Sequence, residues 1–400
     1  MTNSGEAEGQ KRAKGGACLS RRYQSGNPSS GNADGACPDT IGGVRNESHP
    51  CVKKVRHGDG TKETPTMKFE YLLAPTTEDN PRNGEGSVII LNDGRLLLCY
   101  TEFRGGGDND WAYIVGLYSD DGGQSWHDKH VIQPNIGGMN VMSASLLRLQ
   151  SGKIAFVYLL KNSTRNCLPV MRLSEDEGES WTASAIVGDH PGYHVVNNDR
   201  PIQLSTGRIL VPASISQDIR DRSLPQTVFC YYSDDEGRTW RAGEAQGMDA
   251  PCQEPGLIEL KDGSVLMIIR TTLGYIYQAL STHGGESWTN IERTGLVSPC
   301  APATIKRFPS TNDLLILYNN NQEPDAAKRE RRTPLTAALS KDEGKTWQLI
   351  KDVELDHTCT YCYVSACFPG EDVLLTYYLG TERNLEALKI KRFPVEWLYT

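Results

Sequence analysis

The chain has 400 residues, of which 38% are hydrophobic and 23% are charged, and its formal net charge at pH 7 is −8. This composition is typical of a globular protein that buries a core, and no run of Lys and Arg overrides the negative total. We therefore expect no nucleic-acid partner. No apolar stretch reaches the length of a membrane span, so no transmembrane segment is expected.

Residues 1–66 are rich in Gly, Ser, Asn and basic residues and have almost no apolar periodicity. They are predicted to form a disordered or low-complexity tail, although a start codon assigned too far upstream would produce the same pattern. The segment lacks the apolar core of a secretory signal. A cytoplasmic location is the default expectation, and export is possible if the true start differs.

Eleven cysteines are scattered along the chain, a pattern more typical of reduced thiols than of a disulfide framework. Cys359 and Cys362 match CxxC, but this pair has neither a partner pair nor a βαβ setting. No metal site and no cofactor are predicted.

From residue 67 onward, short apolar runs alternate with polar turns, as in SVIILNDGRLLLCYTE. Two apolar runs around a turn that contains Gly are typical of a β-hairpin. Helical periodicity is scarce, since only the run from Glu382 to Ile390 could form a helix, and it also fits a strand. The core is therefore predicted to be all-β.

One motif, Ser-x-Asp-x-Gly-x-Ser/Thr-Trp, recurs five times in this part of the chain. The copies begin at Ser119, Ser174, Ser233, Ser281 and Ser340, and the fourth has His283 in place of Asp. Successive copies start 55, 59, 48 and 59 residues apart, about the length of a four-stranded propeller blade. Ser and Asp can accept hydrogen bonds from backbone N–H groups, Gly allows a positive φ, and Trp anchors the turn. The motif is thus predicted to be structural.

This repeat resembles the Asp-box of sialidases, and the resemblance covers about residues 67–400. It implies an all-β, six-bladed β-propeller in which each box joins the third and fourth strands of a blade, away from the active site. Five blades are then expected at about 84–130, 138–187, 196–245, 252–293 and 298–352. The sixth would combine the strands of 360–395 with the stretch from Lys68 to Leu73, which closes the ring.

The central funnel of a propeller is lined by the first strands and by loops of one face. Glu254 precedes an apolar hairpin that ends at Arg270. The resemblance implies that this Glu activates a tyrosine and that this Arg holds a substrate carboxylate. Arg332 matches another carboxylate-binding arginine, but the nearby Arg329 and Arg331 leave its register open. Ordinary polar strand ends and a solvated basic loop are the alternatives.

The segment TCTYCYVSACF resembles the family's Tyr-x-Ser strand and places the nucleophile at Tyr363. Tyr361 has the same strand parity, and a buried structural tyrosine is the alternative. The glycine-rich loop after the second strand holds two candidates for the acid/base residue, Asp108 and Asp110. We favour Asp108, and an ordinary hydrophilic turn is the alternative.

The predicted chemistry explains why these residue types belong together. The anomeric carbon of a sialic acid bears a carboxylate, so a neutral phenol is a better attacker than an Asp or Glu. A phenol has a pKa near 10 and needs a base, which requires Glu254 at about 2.6–3.2 Å from the Tyr363 hydroxyl. An Asp would protonate the leaving oxygen and then activate water.

One departure from the family pattern concerns the first strand. Sialidases bring an arginine from an Arg-Ile-Pro segment, and here Glu85 stands where that arginine is expected. Arg82 lies three positions away and, by strand alternation, is expected to face elsewhere. Polar residues at the starts of the second and third blades could contact the sugar instead, or could be ordinary strand ends: Asn140, Asn198, Asp199 and Arg200.

The sequence thus predicts an exo-acting glycosidase of the sialidase type that cleaves a terminal acidic, sialic-acid-like sugar from a glycan or glycoconjugate by a retaining mechanism. Two alternatives stay open. One is a non-catalytic carbohydrate-binding propeller, which the missing arginine favours. The other is a related glycosidase that acts on a non-sialic sugar such as a uronic acid.

Overall fold

A computed structural model describes residues 67–221, 223–323, 325–381 and 384–400, and the predicted tail of residues 1–66 lies outside the described residues. Strands dominate this part of the chain. Helical structure within it is limited to α1 (Ala326–Arg329) and a C-terminal 3₁₀ helix (Val395–Tyr399). Among the described residues, no helix has the length and apolar composition needed to cross a membrane.

The first strand of the described chain pairs with the last one. The sheet has the order β1 (Phe69–Ala74), β25 (Ala387–Pro394), β24 (Asp372–Thr381) and β23 (Cys359–Cys367). Phe69 lies opposite Arg392, and all three pairings are antiparallel. The pairing predicted between residues 68–73 and the C-terminal strands is therefore present, and the helical alternative for the run that ends at Ile390 is wrong.

Three further sheets each contain four consecutive antiparallel strands. Their strands are β2 (Arg82–Ile90), β3 (Leu96–Phe103), β4 (Ala112–Ser119) and β5 (His127–Gln133); β15 (Gln253–Glu259), β16 (Val265–Arg270), β17 (Tyr275–Ser281) and β18 (Glu292–Val297); and β19 (Thr304–Arg307), β20 (Leu314–Tyr318), β21 (Leu335–Ser340) and β22 (Gln348–Glu354). This order is what a series of hairpins produces.

The remaining sheet differs from the prediction of two separate blades at 138–187 and 196–245. Its nine strands are β6 (Asn140–Arg148), β7 (Ile154–Ser163), β8 (Asn166–Ser174), β9 (Ala185–Ile186), β10 (Tyr193–Val195), β11 (Ile202–Gln203), β12 (Ile209–Ser216), β13 (Thr227–Ser233) and β14 (Arg241–Ala242). The short β10 joins the halves because it pairs antiparallel with β12 and meets β8 in a single parallel pair, Tyr193 with Cys167.

The five copies of the repeated motif form similar turns, which lie between β4 and β5, β8 and β9, β13 and β14, β17 and β18, and β21 and β22. In the second copy, the Asp176 carboxylate accepts hydrogen bonds from the Ser174 hydroxyl at 2.8 Å and from the backbone N–H of Ser180 at 2.8 Å. The backbone N–H of Gly178 donates to the Ser174 hydroxyl, and Gly178 has φ 92°. In the fourth copy, His283 keeps one such contact, at 3.0 Å from the Ser287 hydroxyl.

The apolar core lies between the faces of neighbouring sheets and between the two halves of the nine-stranded sheet. Leu97 and Ile114 of the β2–β5 sheet, for example, pack with Phe156 and Val170 of the nine-stranded sheet, and all four are at most 1% exposed. Comparable clusters pack between the other adjacent sheet regions. Face-to-face packing of twisted sheets therefore provides most of the hydrophobic stabilisation.

Serine hydroxyls connect β2 with β6, β2 with β23, and β6 with the segment between β10 and β11. The backbone N–H of Leu146 donates to Ser87 at 3.0 Å, that of Val88 to Ser365 at 3.3 Å, and that of Asp199 to Ser145 at 2.8 Å. All of these groups are buried. The first strands are thus held in fixed positions relative to each other, which makes them a rigid base for a site.

The cysteines only partly follow the prediction. Seven cysteines in the described part of the chain are free, but Cys359 is disulfide-bonded. The expectation of reduced thiols is therefore wrong at Cys359. Within the described residues, no group of three or more His, Cys, Asp or Glu side chains is placed to hold a metal ion.

Candidate active site

A cavity of about 900 Å³ opens among the first strands and the loops that follow the second strands. Six of the predicted site residues line it: Glu85, Asp108, Glu254, Arg270, Arg332 and Tyr363. They come from four different sheets and lie up to 278 positions apart in the sequence, from 85 to 363. No residue of the five box turns lines this cavity.

Bulges in the first strands aim these side chains into the cavity. The pairing register shifts between Gly84 and Ser87, between Gln253 and Gly256, and between Cys362 and Ser365. The bulged residues have left-handed backbone conformations, with φ 54° at Glu85, 42° at Glu254 and 58° at Tyr363. Such conformations cost about 1–3 kcal/mol each in non-glycine residues and cluster at functional sites.

Tyr363 and Glu254 form a direct hydrogen bond. The Tyr363 hydroxyl donates to Glu254 Oε1 at 3.0 Å, within the range that the proposed chemistry requires. Glu254 Oε2 accepts from Arg270 Nη1 at 2.5 Å, so the arginine orients the carboxylate. Burial and the neighbouring Glu254 raise the pKa of Tyr363 despite the opposing charges of Arg332 and Arg270. Tyr363 is therefore a neutral phenol beside a base.

Arg332 supplies a positive charge without a counter-charge of its own. Its guanidinium lies 5.7 Å from the centre of the Tyr363 ring, and Nη1 donates to Cys362 Sγ at 3.3 Å. In the ranges that the structure describes, no carboxylate lies within ion-pair distance of Arg332. An arginine in this state, at the edge of a cavity, can bind an incoming carboxylate through paired N–H donors.

Asp108 reaches the cavity from the loop between β3 and β4. Its Oδ1 accepts from Arg82 Nη1 at 2.5 Å, and about two-thirds of its side chain is exposed. Partial burial raises the pKa of Asp108, but the charges of Arg82 and Lys161 outweigh this effect, and the net pKa is lowered. In the absence of a ligand, Asp108 is thus an ionised carboxylate at neutral pH.

Asp110 does not join the site. Its carboxylate accepts from the backbone N–H of Gly107 at 2.8 Å and caps the loop. Asn140 also lies outside the cavity lining, and its amide donates to the backbone oxygens of Asp108 and Asp110 at 2.9 and 2.8 Å. The structure therefore separates the two candidate acids and gives Asn140 a contact with the loop instead of the expected one with the sugar.

The three polar residues of the third predicted blade are also displaced from their expected role. The Asn198 amide donates to backbone oxygens of Gly86 and Tyr363, while Asp199 pairs with Lys306 at 2.9 Å. Arg200 is 2% exposed and donates to Thr304 at 2.9 Å. These side chains bond to neighbouring inner segments and do not line the cavity.

The direction of the Arg82 side chain differs from the one expected from strand alternation. The bulge inserts an extra residue between Arg82 and Ser87, which reverses the parity of the strand, so Arg82 Nη2 reaches Glu85 Oε1 at 2.9 Å. Glu85 Oε2 accepts from Ser143 at 2.7 Å. Burial raises the pKa of Glu85, and the adjacent Arg82 opposes this only in part. A bulge of this kind has no reliable signal in a single sequence.

Other lining residues were not anticipated either. Asn197 is 1% exposed, and its Nδ2 has no hydrogen-bond partner among the described residues. Apolar side chains form one wall of the cavity: Met142, Leu159, Val195 and Ile219. The cavity therefore offers a free amide donor and an apolar surface in addition to its charged groups.

Comparison with known proteins places these features in a family. Residues 146–371 match the BNR repeat-like domain model, and residues 117–128 match the BNR/Asp-box repeat model. A sialidase from Micromonospora viridifaciens is 29% identical over 375 residues, which cover 84% of this chain and 55% of that protein. The chain thus spans about half the length of this curated relative.

Solved structures show the same fold. A Hadza microbial sialidase has a TM-score of 0.69 at 15% identity, over 82% of this chain and 68% of that one. A protein of unknown function from Dyadobacter fermentans has a TM-score of 0.68 at 19% identity, over 82% of this chain and 98% of that one. The all-β architecture of antiparallel sheets is therefore similar to that of sialidase propellers.

Proposed function

Because the chain belongs to the BNR repeat-like family of the sialidase superfamily, we propose that it is a retaining exo-glycosidase that hydrolyses a terminal acidic sugar of a glycan or glycoconjugate. The observation that carries this proposal is the hydrogen bond of 3.0 Å between the Tyr363 hydroxyl and Glu254. A half-buried phenol that donates to a carboxylate at the wall of a cavity has the arrangement of an activated nucleophile.

The first chemical step would form a bond between Tyr363 Oη and the anomeric carbon. Glu254 takes the phenolic proton as the C–O bond to the leaving group breaks. The protonated form of Asp108, which acidic pH favours, gives its proton to the departing oxygen. Water then attacks the anomeric carbon of the tyrosyl intermediate. Asp108 accepts a proton from this water, and Glu254 returns its proton to the phenol.

The charge distribution supports an acidic substrate. Arg332 lacks a carboxylate partner among the described residues, and Arg270 lies beside it with one donor on Glu254. A substrate carboxylate on these two guanidinium groups would bring the neighbouring anomeric carbon to Tyr363. Bidentate hydrogen bonds of this type position a ligand as well as bind it.

We further propose that the sheets form six blades. Among the described residues, six core clusters each lie between two neighbouring sheet regions. The cluster that contains Ala74, Leu96 and Leu374 joins the β2–β5 sheet to the sheet that contains β1. The nine-stranded sheet contributes two of the blades, with β10 between them.

A second candidate is a glycosidase for a non-sialic acidic sugar, such as a uronic acid. Glu85 and its contacts with Arg82 and Ser143 favour it, because a carboxylate stands where sialidases present a third arginine. A binding module without catalysis is the remaining alternative. The intact contact of Tyr363 with Glu254 argues against that module.

The direct test is turnover of a panel of aryl glycosides, including a sialoside, a glucuronide and neutral sugars. We expect hydrolysis of an acidic glycoside and a loss of at least about a thousandfold in the Tyr363→Phe variant. Tyr361→Phe is a matched control, since Tyr361 lies two residues away in the same strand but packs in the core at 1% exposure. Hydrolysis that survives in Tyr363→Phe would refute the nucleophile, and inactivity of the wild-type protein on every glycoside would favour a binding module.

A further inference from the structure

The side chain of Arg82 is fully engaged below the cavity. Its Nη1 donates to Asp108 at 2.5 Å, Nη2 to Glu85 at 2.9 Å and Nε to the Tyr378 hydroxyl at 2.9 Å. The guanidinium carbon lies 4.3 Å from the centre of the Phe103 ring, and the residue is 3% exposed. Arg82 therefore cannot replace the missing carboxylate-binding arginine, and its exposed contact is with Asp108.

We propose that Arg82 is a positioning residue for the acid/base group: it holds the Asp108 carboxylate at the cavity wall and sets the pH range in which Asp108 carries a proton. This inference rests on the proposed role of Asp108 in glycoside hydrolysis. The contact itself does not depend on that role and can be tested without turnover.

Glu85 and Tyr378 hold Arg82 in place. Glu85 has a left-handed backbone conformation and is fixed from its other side by Ser143. Gly84 lets the strand approach Tyr378, because a Cβ at this position would lie 2.2 Å from the tyrosine ring. The local sequence Arg-Asn-Gly-Glu-Gly is thus adapted to one buried position of the guanidinium.

The backbone of the loop that bears Asp108 is held separately. The backbone oxygen of Asp108 accepts from Lys161 Nζ at 2.7 Å and from the Asn140 amide at 2.9 Å. Removal of the Arg82 side chain would leave both contacts in place. The carboxylate would lose its partner while the loop keeps its position, so an effect on Asp108 can be distinguished from loss of the loop.

Several charged or titratable groups act on Asp108 from the surrounding elements: Arg82 and Glu85 of β2, Lys161 of β7, Tyr193 of β10, Tyr378 of β24 and Arg332 before β21. The three cations favour the ionised carboxylate. Burial raises the pKa of Glu85 while the net pKa of Asp108 is lowered. As the pH falls, Glu85 therefore takes a proton before Asp108 does.

Because Glu85 takes up a proton before Asp108 does, variants of Arg82 and Glu85 are expected to differ in their effect on Asp108. Arg82→Met keeps an unbranched apolar stem against Phe103 but removes the charge, so protonation of Asp108 should move to higher pH by about one unit or more. Glu85→Gln imitates the protonated Glu85: its amide oxygen can accept from Arg82, and its NH2 group can donate to the Ser143 hydroxyl. It should leave protonation of Asp108 nearly unchanged. A double variant, Arg82→Met with Glu85→Gln, avoids an unpaired buried carboxylate and should behave like Arg82→Met.

The experiment measures how the rate of carbodiimide labelling at Asp108 depends on pH, by peptide mass spectrometry of the full chain. Carbodiimide reacts with the protonated carboxyl, and Asp108 is exposed enough to be labelled. Asp110 lies in the same loop without a contact to Arg82 and serves as the internal reference. We expect the Asp108 curve alone to move in Arg82→Met and in the double variant, and Arg82→Lys to restore most of the wild-type position.

Thermal melting verifies that both Arg82→Met variants are folded. The proposal would be overturned if the pH dependence of labelling at Asp108 did not change in either of them. A shift of equal size in Glu85→Gln would also overturn it. The proposed function fails separately, if the wild-type protein hydrolyses none of the glycosides. Where turnover is present, the alkaline limb of kcat/KM should move to higher pH in Arg82→Met, in parallel with the labelling curve.

Discussion

The box turns and the first-strand bulges both recur around the molecule, but they differ in what is repeated. Every box has Ser, Gly and Trp at the same places, and in every box the backbone N–H of the Gly donates to the Ser hydroxyl. The bulges repeat only a backbone conformation, and their side chains differ, as Glu85, Ser143, Glu254 and Tyr363 show. The molecule thus uses repeated side chains for its scaffold and a repeated backbone feature to present different chemical groups.

The largest expected effect concerns the bulge at Glu254. Glu254→Gln keeps the shape of the side chain but removes the base for Tyr363, so kcat/KM should fall by about 10²- to 10⁴-fold. Glu259→Gln is the matched control, because Glu259 ends the same strand and contacts Ser205 instead. Steady-state kinetics on the best glycoside of the panel would measure both. Equal losses in the two variants would contradict the assignment.

Arg332→Met tests the guanidinium that has no carboxylate partner in the described part of the chain. Loss of a charge-assisted contact of about 1.5–3 kcal/mol should raise KM for an acidic glycoside by roughly 10- to 150-fold. A neutral glycoside that the wild-type protein binds should be affected far less. If both substrates lose affinity to the same extent, Arg332 supports the fold rather than the carboxylate.

Asp176→Ala tests the role of a box turn in stability. Asp176 accepts hydrogen bonds from the hydroxyl and backbone of the same turn, so its removal should lower the free energy of unfolding by about 1–2 kcal/mol. Activity at a temperature well below the unfolding transition should stay at the wild-type value. Chemical denaturation and kinetics measure the two effects, and a loss of activity without a loss of stability would break the comparison.

The smallest expected effect is a gain. His283 keeps one contact with Ser287, whereas an aspartate can accept from both the hydroxyl and the backbone N–H of that serine. His283→Asp should therefore raise the free energy of unfolding by about 0.5–1 kcal/mol with unchanged kinetics. A destabilised His283→Asp protein would show that this turn differs from the other four.

The contrast between boxes and bulges also explains which features of the molecule could be predicted from the sequence. The boxes could be recognised because Ser, Gly and Trp recur in each copy with the same hydrogen bond from the Gly N–H to the Ser hydroxyl, and the hairpins between them have ordinary apolar patterns. The placement of Glu254, Arg270 and Tyr363 at one cavity could be predicted because family resemblance supplied their spacing. The placement of Arg82 could not, since one inserted residue at Glu85 reverses strand parity. The roles expected for Asn198 and Arg200 were wrong because these residues lie between β10 and β11, where strand patterns do not fix the direction of a side chain.

The central claim is that Tyr363 is the nucleophile of a retaining glycosidase, and covalent trapping tests it most directly. The wild-type protein would be incubated with a fluorinated analogue of the best acidic substrate, digested and analysed by mass spectrometry. We predict a single sugar adduct on the peptide that contains Tyr363, and none in Tyr363→Phe. An adduct on another residue, or turnover of the acidic glycoside with inversion at the anomeric carbon, would contradict the account.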